Sequence, residues 1–247
     1  VNRPNDIGSV LRDLSKKPVL NLAYGGNGPL IEFATLREYL NPNIKNVIWL
    51  HYEGNDLGNL KLESGNNILN NYLIDSTFSQ NLQFKQNEVD SLARNIIRNE
   101  RQKKIKDKKE REREELAKRE RIKKFYKFAN LRFLIFSLKQ SKPEEGQEPK
   151  FIKILQLARD LTEKNNSKMY FVYLPTYNRY KSNYNYNSYN LVKNIVNELN
   201  IPFLDAHKEV FQKEENPLIL FPFQLPGHYN VEGYKKISEM IYELTQD

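Results

Sequence analysis

The chain has 247 residues, enough for one sizeable α/β domain with a buried core. It holds 15 Tyr and 13 Phe but no Cys, which excludes disulfides and thiolate metal sites, and no run reaches the roughly 18–20 apolar residues of a membrane span. The formal charge of +8 is unevenly spread: residues 94–127 hold 16 Lys and Arg against 7 Asp and Glu, a net of +9, so the remainder is close to neutral.

In chain order, residues 6–16 space Ile7, Val10, Leu11 and Leu14 as one helix face. Pro18 opens PVLNLA, read as a strand over 18–23. Residues 29–40 predict a helix with Pro29 in its first turn and Asn41-Pro42 as its stop. NVIWLHY, 46–52, is apolar almost throughout, as in a strand covered on both faces. A Gly- and Asn-rich loop then leads to a short helix in NNILNNYL, and EVDSLARNIIRNE begins a long one.

From about 98 to 121 nearly every residue is charged. Glu100–Lys104, Asp107–Arg111, Glu114–Lys118, Glu115–Arg119 and Glu120–Lys124 stand in the favourable i, i+4 order, so this helix, placed at 85–130, can stand in water without packing. SKPEEGQEP, 141–149, reads as a linker. The core pattern resumes with a helix from Lys150, strand KMYFVYLP, helix YNLVKNIVNELN, strand IPFLD, a loop rich in Pro and Phe, and a last helix VEGYKKISEMIYEL.

Strands alternating with amphipathic helices predict a parallel sheet between helical layers, whose ligands bind beyond the C-terminal strand ends. LAYGGNGPL, EGNDL, LPTYNRY and PGHYN all fall there. The three histidines divide by setting. His51 is inside a strand and reads as structural. His207 follows Asp205, a natural helix N-cap. His228, in a glycine-preceded loop entering the last helix, is a candidate base, with simple helix entry as the plainer alternative. For Gly26 the plainer alternative is a tight turn, and for Asn55 an Asx-type turn with Asp56, which fixes its loop.

GGNGPL, EGNDL and GHYNVEGY, in this order on this background, together with MYFVYLPTYNRY, resemble the SGNH (GDSL-like) hydrolase family over most of the chain except the charged helix. The resemblance implies an α/β, three-layer α/β/α, flavodoxin-like parallel sheet, with 1–247 one domain into which the charged helix is inserted. It also implies an oxyanion hole from the Gly26 N–H and the Asn55 amide, with His228 as general base. Such donors suit the tetrahedral intermediate of acyl transfer. The activity implied is that of a serine esterase or O-acyltransferase on acetyl or other acyl esters of a carbohydrate; hydrolysis and transfer stay open.

The sequence departs from the family pattern in two places. The Gly-Asp-Ser block is absent, and VNRPNDIGSVLRDL resembles the segment that comes after that block in the family. The chain is therefore expected to lack the first strand and a nucleophilic Ser upstream of residue 1. Ser9 lies on a predicted helix and is not a candidate nucleophile. Before His228, the family's orienting Asp is replaced by Leu225 and Pro226, leaving a backbone carbonyl or an acid such as Asp205 as partner.

Two other readings stand beside this one: a non-catalytic binding module on the same fold, and anionic-surface binding through the basic helix. Interleaved Glu residues weaken the second, so nucleic acid is not an expected partner, whereas self-association through that helix is open. No P-loop, dinucleotide fingerprint, zinc spacing or EF-hand occurs, so no metal or nucleotide cofactor is expected. Bacterial cytoplasm and cell envelope stay undecided as the compartment.

Overall fold

Among the described residues, three parallel strands carry the core: β1 (Asn46–Tyr52), β2 (Lys168–Leu174) and β3 (Phe203–Asp205), in the order β1-β2-β3. In the computed structural model the backbone is described for residues 3–121, 147–181 and 183–246, and the side chains for these except 109–121. The chain divides into two units, Val1–Ser79 with Pro143–Asp247, and Gln80–Lys142.

The first unit is mixed α/β. Its helices are α1 (Ile7–Ser15), α2 (Pro29–Tyr39), α3 (Asp56–Glu63), α4 (Asn67–Ile74), α6 (Glu148–Lys164), α7 (Asn187–Glu198), the short α8 (Ala206–Glu209) and α9 (Val231–Leu244). The two-residue period of a strand sends alternate side chains of β2 to opposite faces. Met169, Phe171 and Tyr173 pack with Leu30, Leu60, Phe151 and Val192 of α2, α3, α6 and α7. Tyr170, Val172 and Leu174 pack with Ile7 of α1 and with Ile237 and Ile241 of α9. Local signals start these helices: Asp6 Oδ1 accepts from Ser9 N–H (3.1 Å), Pro29 stands in the first turn of α2, and Asn230 Oδ1 accepts from Gly233 N–H (2.9 Å). Arg37 closes the end of α4 by donating to the carbonyls of Tyr72, Asp75, Ser76 and Phe78 at 2.6–3.0 Å.

The strand predicted at 18–23 does not form. These residues run without a ladder; Val19 O accepts from Arg12 Nε (2.8 Å), and Leu20 is 57% exposed. β propensity supplies no partner for main-chain N–H and C=O groups; a neighbouring strand must. β1 packs on both faces, Trp49 in one core and Ile48, Leu50 and Tyr52 against the other, although these last three and Val47 are only half-buried. Lys168 N–H donates to Lys45 O and Glu53 N–H to Leu174 O, so the odd-numbered main-chain groups of β1 face β2. Those of Ile48 and Leu50 face the open edge.

Further differences are local. α3 occupies the stretch read as a Gly- and Asn-rich loop, because Leu60 is fully buried and Glu63 has a structural partner across the fold. α6 begins at Glu148, inside the predicted linker, of which 141–146 lie outside the described residues. In the second unit a 3₁₀ turn (Leu82–Lys85) leads into α5 (Gln86–Arg121); the predicted continuation over 122–130 lies outside the described residues. Asp90 and Arg94 form an i, i+4 pair at 3.7 Å there, whereas Glu100 and Lys104 do not pair. The other four anticipated pairs lie wholly or partly outside the described side chains.

Candidate active site

The Asn55 loop and His228 share one aromatic neighbour, the ring of Tyr52. Tyr52 ends β1, and its ring centroid lies 5.1 Å from that of His228. The same ring lies so close to Gly54 that an added Cβ there would collide with it. Asn55 is the next residue, at the N-cap of α3, with its carbonyl accepting from Asn59 N–H (2.8 Å). Its side chain makes no capping bond and is exposed, leaving the amide free to donate. Asp56 holds the loop instead, accepting from Tyr52 N–H at 2.7 Å while almost fully buried. The Asx-type alternative is therefore not the one adopted by Asn55.

Gly26 is the third residue of a turn closed by Asn27 N–H to Tyr24 O (3.2 Å), with φ of +92°, a conformation that favours glycine. The turn reading of Gly26 is thus realised, and its surroundings are open. What docks this loop is Glu63. Its carboxylate accepts from Gly28 N–H (2.5 Å) and Leu30 N–H (3.0 Å), sealing the α2 N-terminus against α3. Asn59 Nδ2 adds a bond to Asn27 O (3.5 Å), and a Cβ at Gly28 would stand 2.7 Å from that of Asn59. The loop bearing Gly26 is therefore attached to the helix that Asn55 begins.

His228 is exposed, and its neighbours fix it. Tyr229 is buried and donates to Pro175 O (2.5 Å); Asn230 caps α9 and donates from Nδ2 to Ile219 O (2.7 Å). No carboxylate is hydrogen-bonded to His228 among the described residues. Asp205 does not serve it: its oxygens accept from Tyr189 OH (2.6 Å), His207 N–H (3.0 Å) and Lys208 N–H (3.4 Å), the last two as the cap of α8. Ser9 donates to Asp6 Oδ2 (2.6 Å) within the cap of α1. His51 is buried among Phe151, Phe171 and Tyr173, and burial pushes its imidazole down to about 3, so it is neutral.

Two features carry little signal in the sequence. Glu53 accepts from Thr176 N–H (2.9 Å), Tyr173 OH (2.8 Å), Arg179 Nη1 (2.5 Å) and the Tyr184 hydroxyl, tying the loop after β1 to the loop after β2. Arg179 is enclosed by aromatic rings, the nearest being Tyr189 at 4.3 Å from Cζ. Beneath the Asn55 loop, three carboxyl groups approach one another. Burial pushes Asp56 up to about 7, with Glu63 adding repulsion against the opposing Tyr52 N–H bond. Glu32 is driven well up by burial and by Asp56 and Glu63. These acids do not form a metal-binding group; none occurs among the described residues.

The arrangement offers an unbonded side-chain amide and an exposed imidazole at the C-terminal rim of β1, with the Gly26 turn tied to α3 through Asn27 and Gly28. It could donate to an oxyanion and accept a proton. Comparison with family models, with curated proteins and with solved structures finds no match.

Proposed function

We propose that this chain performs ester chemistry of the SGNH hydrolase type, as an esterase or O-acyltransferase acting on acetyl or other acyl esters of a carbohydrate. The observation that carries the reading is the placement of His228 and the Asn55 loop against the same Tyr52 ring, with the Asn55 amide unbonded. In this mechanism His228 takes the proton of a serine hydroxyl, whose oxygen attacks the ester carbonyl. Asn55 Nδ2 and the Gly26 N–H hold the resulting oxyanion, and the imidazolium returns the proton to the leaving alcohol. Water or a sugar hydroxyl then takes the acyl group.

The serine belongs to a segment upstream of residue 1, on a strand completing a flavodoxin-like α/β/α sheet. The open edge of β1 and the unpaired run over 18–23 favour such a strand. The full-length protein should turn over p-nitrophenyl acetate, and His228→Ala should abolish it; undiminished turnover would reject the base. A second reading, a binding module without catalysis, is favoured by His228 having no carboxylate hydrogen-bonded to it among the described residues. It predicts carbohydrate-ester binding without turnover.

A further inference from the structure

β3 forms the other open edge of the sheet. Phe171 N–H donates to Pro202 O (2.9 Å), so even-numbered main-chain groups of this strand face β2, and those of Phe203 and Asp205 face outward. Along that edge runs a groove of about 480 Å³, within the size range of small-molecule clefts. Lys193 of α7 lines one wall; Tyr170 of β2 and Lys208 of α8 line the groove from elsewhere, and Leu204 and Leu244 supply apolar surface.

Charge and an orphaned donor point to the occupant. The acids lining the groove are already engaged, Asp205 with Tyr189 and the α8 cap, Glu209 with Lys213 (3.1 Å). The ammonium groups of Lys193 and Lys208 have no carboxylate partner among the described residues; that of Lys193 lies 5.7 Å from the Tyr189 ring centroid. Tyr170 is only 2% exposed, yet its hydroxyl is buried without a hydrogen-bond partner. A buried hydroxyl left without a partner destabilises the unliganded fold. Lys168 also lines the groove, its ammonium 5.0 Å from the Tyr170 ring centroid, and a phenol donor on a wall shared with ammonium groups matches an oxyanion.

We propose that the groove along β3 binds a small molecule that presents an oxyanion, phosphate or carboxylate, to Tyr170, Lys193 and Lys208 and rests an apolar body on Leu204 and Leu244. The inference is independent of the ester chemistry above, since the groove lies on the edge opposite β1.

Phenyl phosphate and benzoate, titrated calorimetrically into the protein, test it. At least one should bind saturably with a Kd of about 1 mM or tighter, and the probe that binds identifies the head group. Tyr170→Phe should weaken that binding about fivefold or more, and the double variant Lys193→Gln/Lys208→Gln about tenfold. Tyr170→Phe removes an unpaired hydroxyl, so its thermal midpoint without ligand should be unchanged or raised, which separates lost binding from lost folding. Absence of saturation by both probes up to about 20 mM, or affinity unchanged in both variants, would overturn the assignment.

Discussion

Glu53 and Arg179 form an ion pair at 2.5 Å with side chains only 3% and 2% exposed, joining the loop after β1 to the loop after β2. The charges are removed from water but are not left alone. Glu53 also accepts from Thr176 N–H and two phenols, and Arg179 is packed against Tyr189. Removing one partner leaves the other buried and uncompensated. Arg179→Met should lower unfolding stability by about 3–5 kcal/mol, read from urea denaturation. Arg179→Lys should recover little of this, because a compact ammonium does not reproduce the stacked guanidinium. A loss below about 1 kcal/mol for Arg179→Met would mean the pair does not bind the two loops together.

The role proposed for Asn55 can be tested apart from stability. Because its side chain makes no capping hydrogen bond, Asn55→Ala should leave the thermal midpoint nearly unchanged. Under the proposed ester mechanism, kcat for p-nitrophenyl acetate should fall about 10²–10³-fold, the usual effect of removing one oxyanion donor. Unaltered kcat would exclude the amide from the reaction.

Gly26 tests backbone shape. At φ +92° an alanine is strained, although no neighbour lies within 4 Å of its Cβ. Gly26→Ala should therefore destabilise the fold by about 1–2 kcal/mol through the main chain alone, measured by denaturant titration. A neutral substitution would show that the turn relaxes freely.

Stability should also depend on pH through Asp56. Its ordinary pKa of 3.8 is raised to about 7 in the folded state, chiefly by burial. The folded state therefore binds the proton more tightly than the unfolded one. The associated stability is fully present below pH 3.8 and is lost as pH rises through about 7. Glu32 and Glu63, raised in the same direction, add to the decline. Thermal midpoints measured from pH 4 upward should fall toward pH 7 and then level, and Asp56→Asn should flatten the slope. An equally steep slope in Asp56→Asn would place the titration elsewhere.

Much of the fold was legible from period and punctuation. The spacing of Ile7, Val10 and Leu11, Pro29 in the first turn of α2, and the limits of NVIWLHY and of VEGYKKISEMIYEL all reappear as elements. Capping by Asp205 and loop closure by Asp56 were legible too, since each acts within a few residues of itself. PVLNLA was not, because a strand needs a partner that local composition does not name. α3 was hidden for a related reason: its retention rests on Leu60 in the core and on Glu63 reaching Gly28, 35 residues away.

Chain chemistry thus settled which segments could be helical or extended, because helix periodicity and caps are short-range properties. Which polar groups became neighbours was decided by packing. The Glu53–Arg179 pair and the meeting of Tyr52 with His228 join residues that no spacing along the chain relates, and the orphaned hydroxyl of Tyr170 is likewise invisible in the sequence. Burial and contact are properties of the assembled layers. They appear once the sheet brings distant strand ends to one rim and leaves its two outer edges open.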